Sequence, residues 1–453
     1  MWVQKAYYPH RKSADNCTKY IIKTQLCRTV ALVDSDYNRK NHDTSYVSIT
    51  IITVFLLFAM SVSILSDSTL DHHRFTDVYA QPYLETVKHR NLTIDLGNGL
   101  KTNAQLTIPA VGKGPFPGVL FFGPAGAGSV LSPTTPYTPM AEYLSERGFA
   151  VLRYDKPGVG LNSTIIDSNA WGNLTFDNMK QNAEKALSVL LQQPEVNATK
   201  KATLIGHSEG TNFPPRVAVD NPDKVRNIIL MAPVAGNWRT DIIYFQEVAK
   251  PLLYAENILD KGHLGQISVK EASKDPIFQT LVGGNLTQLL LSPTNVTDNN
   301  RTGILPEQKN NTNDDLISIE GVLKPALVRY YENDTSINAS LLSDKCLNVY
   351  GCPSIGKSFS ALSSVNSMIG NVSSNIGILI LEGKNDSQTP LNQALLLQQR
   401  LTEVNHPDHL MIVYPGLGHT FVPSNQWISS YGQMPEYVFQ DMYEWLSSHA
   451  RHQ

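Results

Sequence analysis

Short apolar runs alternating with amphipathic stretches predict an α/β fold built on a mostly parallel sheet. Apolar runs at residues 117–122, 149–155, 201–205, 225–232, 376–381 and 409–414 have the length and flanking glycines of buried strands. Stretches at 139–147, 176–192 and 435–449 place apolar residues at helical spacing instead. Strands joined through helices imply right-handed crossovers, with ligands beyond the carboxyl ends of the strands. The third observation is Gly206-His207-Ser208-Glu209-Gly210, a glycine-flanked serine directly after one of those runs. A sharp strand-to-helix turn there strains the serine backbone, and the glycines leave room for strand and helix to close around it.

The chain has 453 residues, enough for one large domain with an insertion or for two domains. Charged residues make up 17%, hydrophobic ones 42%, and the net charge is −3, so a nucleic-acid partner is not expected. Residues 1–46 are polar, without a clear period, and read as a cytoplasmic tail. From Val47 to Leu65 nineteen positions carry no charge. Residues 47–66 are therefore expected to cross a membrane as a helix, which makes the membrane itself a partner. Arg28, Arg39 and Lys40 precede the segment, and only Arg74 lies in the twenty residues after it. The positive-inside bias then puts the bulk of the chain outside the cell. A cleaved secretory signal behind a long leader is the alternative, and it also exports the remainder. Thirteen N-x-[S/T] sequons agree with export, twelve of them beyond the apolar segment. Cys346 and Cys352 also lie beyond it and are expected to form a disulfide in an oxidising space, whereas Cys17 and Cys27 precede it.

Residues 67–85 read as a linker. Asp71-His72-His73 within it is read as solvated and not as a metal site. Alternating residues at 88–96 and 100–109, around Gly97-Asn98-Gly99, predict a β-hairpin. The strand at 117–122 runs into the glycine-rich Gly123-Pro124-Ala125-Gly126-Ala127-Gly128. A helix over 139–147 with Met140 and Leu144 on one face, a strand ending at Asp155 and a helix over 176–192 follow. Pro214-Pro215 should kink or shorten the helix after Ser208. The closing helix, 435–449, is expected to turn Tyr437, Phe439, Met442 and Trp445 inward.

Phe116-Pro117-Gly118 leading into a glycine-rich loop, Asp155-Lys156-Pro157-Gly158-Val159-Gly160, and Gly206-His207-Ser208-Glu209-Gly210 resemble the α/β-hydrolase superfamily. More narrowly, the set is similar to its esterase and serine-aminopeptidase branches. The resemblance covers residues 86–237 and 374–453 and implies a mostly parallel sheet with helices on both faces. It implies an acid and then a histidine after Ser208 in chain order. Asp386, in the loop after the 376–381 strand, matches the family acid, and His419, after the 409–414 strand, matches the general base. Asp155 is a rival acid, but it precedes Ser208 and is read as structural. Asn385-Asp386-Ser387 is formally a sequon that should stay unused, since a glycan there would block the site.

The roles follow from proton accounting. A serine hydroxyl becomes a good nucleophile when a neutral imidazole takes its proton, and a buried carboxylate fixes that imidazole's tautomer. The oxyanion is expected to rest on the backbone N–H of Glu209 and on one from the loop after Phe122. Pro124 has no N–H to donate, so the second donor is assigned to Ala125, with Gly126 as the alternative. The Glu209 side chain is read as a salt-bridge or shape residue. No cofactor and no metal is implied.

From Ser208 to Asp386 is far more chain than two strands and a helix need, so residues 238–373 are expected to form a cap or lid insertion. Helical pieces are expected at 242–258, 276–282 and 326–331, with a mobile loop at 295–315. The expected function is a membrane-anchored, externally facing serine hydrolase acting on small-molecule carboxylic esters. Two alternatives stay open. One is an aminopeptidase acting on short peptides, which needs a carboxylate such as Glu247, Glu256 or Asp260 for the free amine. The other is an inactive hydrolase fold used for binding.

Overall fold

A computed structural model of the chain describes residues 85–284, 286–291, 316–333 and 362–450. The segment 47–66, Asp71-His72-His73, the 295–315 loop and both Cys346 and Cys352 lie outside the described residues. Among the described residues no helix is long and apolar enough to cross a membrane.

The first two strands, β1 (Val87–Gly97) and β2 (Leu100–Pro109), pair antiparallel through a two-residue turn. Asn98 and Gly99 have φ of +53° and +77°, the left-handed pair that matches strand twist in a tight hairpin. The strands β3 (Gly118–Phe122), β4 (Ala150–Tyr154), β5 (Ala202–His207) and β6 (Val225–Met231) follow in the core. A small antiparallel pair, β7 (Gln266–Ser268) and β8 (Leu316–Ser318), belongs to the insertion. The core closes with β9 (Gly377–Gly383) and β10 (His409–Tyr414). Eight strands form one sheet in the order β1-β2-β4-β3-β5-β6-β9-β10. From β4 to β10 every neighbouring pair is parallel, whereas β2 runs antiparallel to β1 and β4.

The central strands are apolar on consecutive residues because both faces are covered. Val119, Phe121, Val151, Ile205, Ile229 and Leu379 pack under α1 (Tyr137–Glu146). Their neighbours Leu120, Leu152, Leu204, Ile228 and Ile378 face the other way, toward α2 (Phe176–Leu191), α3 (Phe213–Asp220) and α4 (Asn392–Glu403). The closing helix α5 (Glu436–Ala450) joins α1 on the first face through Val438, Phe439, Met442, Trp445 and Leu446. Tyr437 departs from its expected inward place. It is 46% exposed, because the buried stripe runs through Val438 and leaves Tyr437 one residue off its edge.

The prolines after the elbow also differ from expectation. A five-residue 3₁₀ turn, Ser208–Asn212, comes first, and α3 begins at Phe213, so Pro214 and Pro215 occupy its first turn. Backbone N–H groups have no intrahelical partner there, so the prolines start the helix without kinking it.

The chain between β6 and β9 forms the insertion. Its first long helical stretch, Trp238–Leu259, mixes α turns with wider π turns. Further helices run over Pro276–Leu281 and Lys324–Asn333. These pieces share a hydrophobic cluster of their own, with Leu252, Tyr254, Phe278, Ile317 and Leu323 buried in it. Two hydrogen bonds tie that long stretch to the core loop after β9. Gln246 Nε2 donates to Gln388 O at 3.0 Å, and Lys250 Nζ donates to Ser387 O at 2.8 Å.

Backbone packs closely on backbone where β5 turns into the 3₁₀ segment. A Cβ added at Gly206 would overlap the carbonyl of Gly210, and one at Gly210 would overlap the carbonyl oxygens of Phe122 and Gly123. These are backbone atoms that cannot swing aside. Gly210→Ala is therefore expected to lower stability by at least about 2 kcal/mol. Chemical denaturation of purified protein measures this, with Gly99→Ala, where a Cβ meets open space, as the backbone-strain control.

Candidate active site

Three strand ends deliver the candidate residues to one rim of the sheet. Ser208 follows β5 directly with φ of +56°, a left-handed backbone that a serine adopts only under constraint. Its Oγ lies 3.0 Å from His419 Nε2, and His419 Nδ1 lies 2.8 Å from Asp386 Oδ2. Asp386 sits in the loop after β9 and His419 in the loop after β10. All three side chains are buried.

The hydrogen bonds fix the protons. Asp386 Oδ1 accepts the backbone N–H groups of Gln388 at 2.7 Å and Thr389 at 2.9 Å. Its Oδ2 accepts from Thr389 Oγ at 2.9 Å and from the His419 ring. Burial opposes ionisation of this carboxyl, but the His419 imidazole and the hydrogen bonds outweigh it and hold the pKa below the ordinary aspartate value. An ionised Asp386 only accepts, so His419 Nδ1 donates to it, and in the neutral ring Nε2 is then the acceptor that faces the serine. That arrangement can take the hydroxyl proton and leave an oxygen nucleophile.

His207 holds the base from behind. Its Nε2 donates to the backbone carbonyl of His419 at 2.9 Å, so its Nδ1 is bare and accepts from the Tyr137 hydroxyl at 2.8 Å. Burial is the main cause that lowers the His207 pKa to about 3, helped by the neighbouring His419. At neutral pH the ring is uncharged.

Two family models match consecutive parts of the chain. The serine aminopeptidase (S33) model matches residues 133–280, and the prolyl oligopeptidase family model matches residues 328–453. Together they take in Ser208, Asp386 and His419. The chain has the α/β-hydrolase fold, and both matching models describe hydrolase families. No curated protein matches the chain in sequence. Among solved structures, a hypothetical protein from Pseudomonas aeruginosa is 14% identical, with 81% of this chain and 94% of that one covered at a TM-score of 0.44. A Bacillus coagulans carboxyl esterase is 15% identical, with 80% and 99% covered at 0.45. The Porphyromonas gingivalis dipeptidyl peptidase 4 is 14% identical at 0.41, with 80% of this chain but 35% of that chain covered.

In the hydrolase the rival acid has other work. Asp155 is buried and accepts from Ser129 Oγ and from the Val130 N–H, both at 2.8 Å, so it pins the segment after β3. Burial pushes its carboxyl up to about 6 against those hydrogen bonds. Arg153 holds the same segment, donating to Val130 O and Thr138 Oγ, each at 2.7 Å. The Glu209 side chain is buried and pairs with Lys156 at 2.6 Å. The Ser208 and Glu209 N–H groups head the 3₁₀ turn, where no intrahelical acceptor is available to them. Glu382, at the end of β9, is fully buried, and burial with the nearby Asp386 raises its pKa well above the ordinary value.

His207, Thr389 and Lys156 were not among the residues expected to serve the site. His207 and Lys156 act through partners far away in the chain, whereas Thr389 serves Asp386 from three residues away. The only local signal was position, one before the serine for His207 and three after the acid for Thr389.

The His207 shift has a sign that can be measured. The unfolded chain binds a proton near the ordinary histidine value of about 6.5 and the folded chain does not until about 3. Stability therefore falls as pH drops through that window, by up to about 1.4 kcal/mol per pH unit from this group. Unfolding curves between pH 7 and 4.5 should show a smaller acid loss for His207→Gln than for wild type.

Proposed function

We propose that the chain is a serine hydrolase of carboxylic esters working through an acyl-enzyme on Ser208. The observation that carries this reading is the continuous relay Ser208–His419–Asp386, at 3.0 and 2.8 Å, with every proton position fixed by its partners. Ser208 Oγ attacks the ester carbonyl carbon while its proton passes to His419 Nε2. Asp386 stabilises the imidazolium. The oxyanion rests on the N–H groups of Glu209 and Ala125. The tetrahedral intermediate expels the alcohol, which takes the proton from His419. Water then attacks the acyl-enzyme, again giving its proton to His419, and the carboxylic acid leaves as Ser208 recovers its proton.

A fluorophosphonate probe should label wild type and not Ser208→Ala. Turnover of p-nitrophenyl esters should fall by about 10³-fold or more in Ser208→Ala and His419→Ala. An unlabelled, ester-inert wild type would leave the fold as a binding scaffold.

Cleavage at a free amino terminus is the second reading, supported by the serine aminopeptidase match. Its amine needs a carboxylate. Asp260 already accepts the N–H groups of Leu264 and Gly265, and Glu256 is exposed. Glu247 is half-buried, next to the Gln246 that reaches the acid loop, and is the remaining candidate. In this reading Glu247→Gln abolishes hydrolysis of aminoacyl arylamides and spares that of esters. In the ester reading both rates stay within about threefold.

We further propose that residues 47–66 anchor the hydrolase with its catalytic part outside the cell. The uncharged run and the sequons beyond it support this. The Asn91, Asn162, Asn173 and Asn371 side chains are exposed, whereas Asn385 is half-buried and donates to Ser424 O at 2.7 Å. Glycan mapping of cell-expressed protein should find sugar on the exposed group and none on Asn385. Protease added outside intact cells should spare residues 1–46.

A further inference from the structure

The loop expected to supply the second oxyanion donor is anchored in the core at Ala127, whereas Gly123, Pro124 and Ala125 before it are only half-buried. Gly123, Pro124 and Gly128 line a small cavity of about 30 Å³ that Tyr154, Met179 and Phe213 also line. Gly126, with φ of +90°, adds backbone freedom at the centre of the loop. Arg153 and Asp155 grip the segment from Ser129 onward, not the loop itself.

One side chain does grip it. Lys156 Nζ donates to Pro124 O at 2.7 Å and lies 3.4 Å from Gly126 O. The same nitrogen pairs with Glu209 Oε1 at 2.6 Å. Its partners are thus the residue before one oxyanion donor and the side chain of the residue carrying the other. The Pro124–Ala125 peptide is trans, so its carbonyl and the Ala125 N–H point in opposite directions. A cation that draws the Pro124 carbonyl to itself turns the Ala125 N–H to the far side of the peptide.

We infer that Lys156 is the positioning residue of the oxyanion hole, fixing the Ala125 peptide plane and its spacing from Glu209. This rests on the esterase reading above. Pro124 then has a physical use, since a residue without an N–H leaves Ala125 as the donor of that peptide pair. Lys156 touches no reacting atom. It removes the reorganisation a glycine-rich loop would otherwise undergo as charge develops on the substrate oxygen.

The competing role is plain neutralisation of the buried Glu209 carboxylate, and the experiment separates the two. In Lys156→Met, kcat on a p-nitrophenyl ester should fall about 10- to 100-fold with KM within about threefold. Affinity for an aryl trifluoromethyl ketone, which forms an oxyanion adduct with the serine, should fall by the same factor. Lys156→Arg should restore much of both. The double variant Lys156→Met/Glu209→Gln carries no unpaired buried charge, so it tests the inference even where the single variant does not fold. It should remain as slow as the single variant.

Recovery of wild-type kcat in the double variant would overturn the inference in favour of neutralisation. So would a folded Lys156→Met with kcat and ketone affinity within twofold of wild type. Failure of the esterase reading gives a different result, because wild type itself then takes no fluorophosphonate and turns over no ester.

Discussion

The close approach of β5 and the elbow to the end of β3 is the constraint from which the rest of the site follows. Ser208 sits at positive φ because the chain must reverse from a buried strand into a helix within a few residues. That reversal brings Gly210 against the Phe122 and Gly123 carbonyls, closer than any side chain allows. The backbone strain at one serine is sustained by the sheet pairing of β3 with β5 on one side and of β5 with β6 on the other. The same crowding sets Ser208 beside the glycine-rich loop, so elbow and loop are neighbours by construction.

Charge around the relay is concentrated on one group, the Asp386 carboxylate. His207 is buried between a hydroxyl and a carbonyl and remains uncharged, so it repels no proton from His419. Glu382 is buried next to Asp386, and two adjacent anions in that setting would compete. Burial and the neighbouring Asp386 push the Glu382 carboxyl well above its ordinary value, while the four hydrogen bonds on Asp386 favour its charged form. The two carboxyls, four residues apart, differ in the donors that face them.

The sheet was largely legible in the sequence because buried parallel strands write themselves as continuous apolar runs between glycines. Ser208, Asp386 and His419 each follow such a run, so chain order sufficed to nominate them. What was not legible depends on registry between distant segments. The inward stripe of α5 was placed one residue off at Tyr437, since aromatic content there does not say which side faces the sheet. Pro214 and Pro215 read as helix breakers because the 3₁₀ turn that moves the helix start to Phe213 leaves no mark in composition. Lys156 stood in the sequence only as one residue of the Asp155–Gly160 motif. Its partners at Pro124 and Glu209 are 32 and 53 residues away, and only the fold brings them together.

The insertion and the relay share backbone. Gln246 and Lys250 donate to the carbonyls of Gln388 and Ser387, the two residues directly after Asp386. The N–H of Gln388 is at the same time a donor to the Asp386 carboxylate. A movement of the Trp238–Leu259 stretch that broke the first bonds would free the peptide that makes the last. Burial lowers the Lys250 pKa to about 8, against the nearby Asp386 carboxylate that raises it. Trp427, from the segment between His419 and α5, packs edge-on against Tyr254 of the insertion at 5.1 Å. The acid loop and the segment after the base thus both touch the same piece of the insertion.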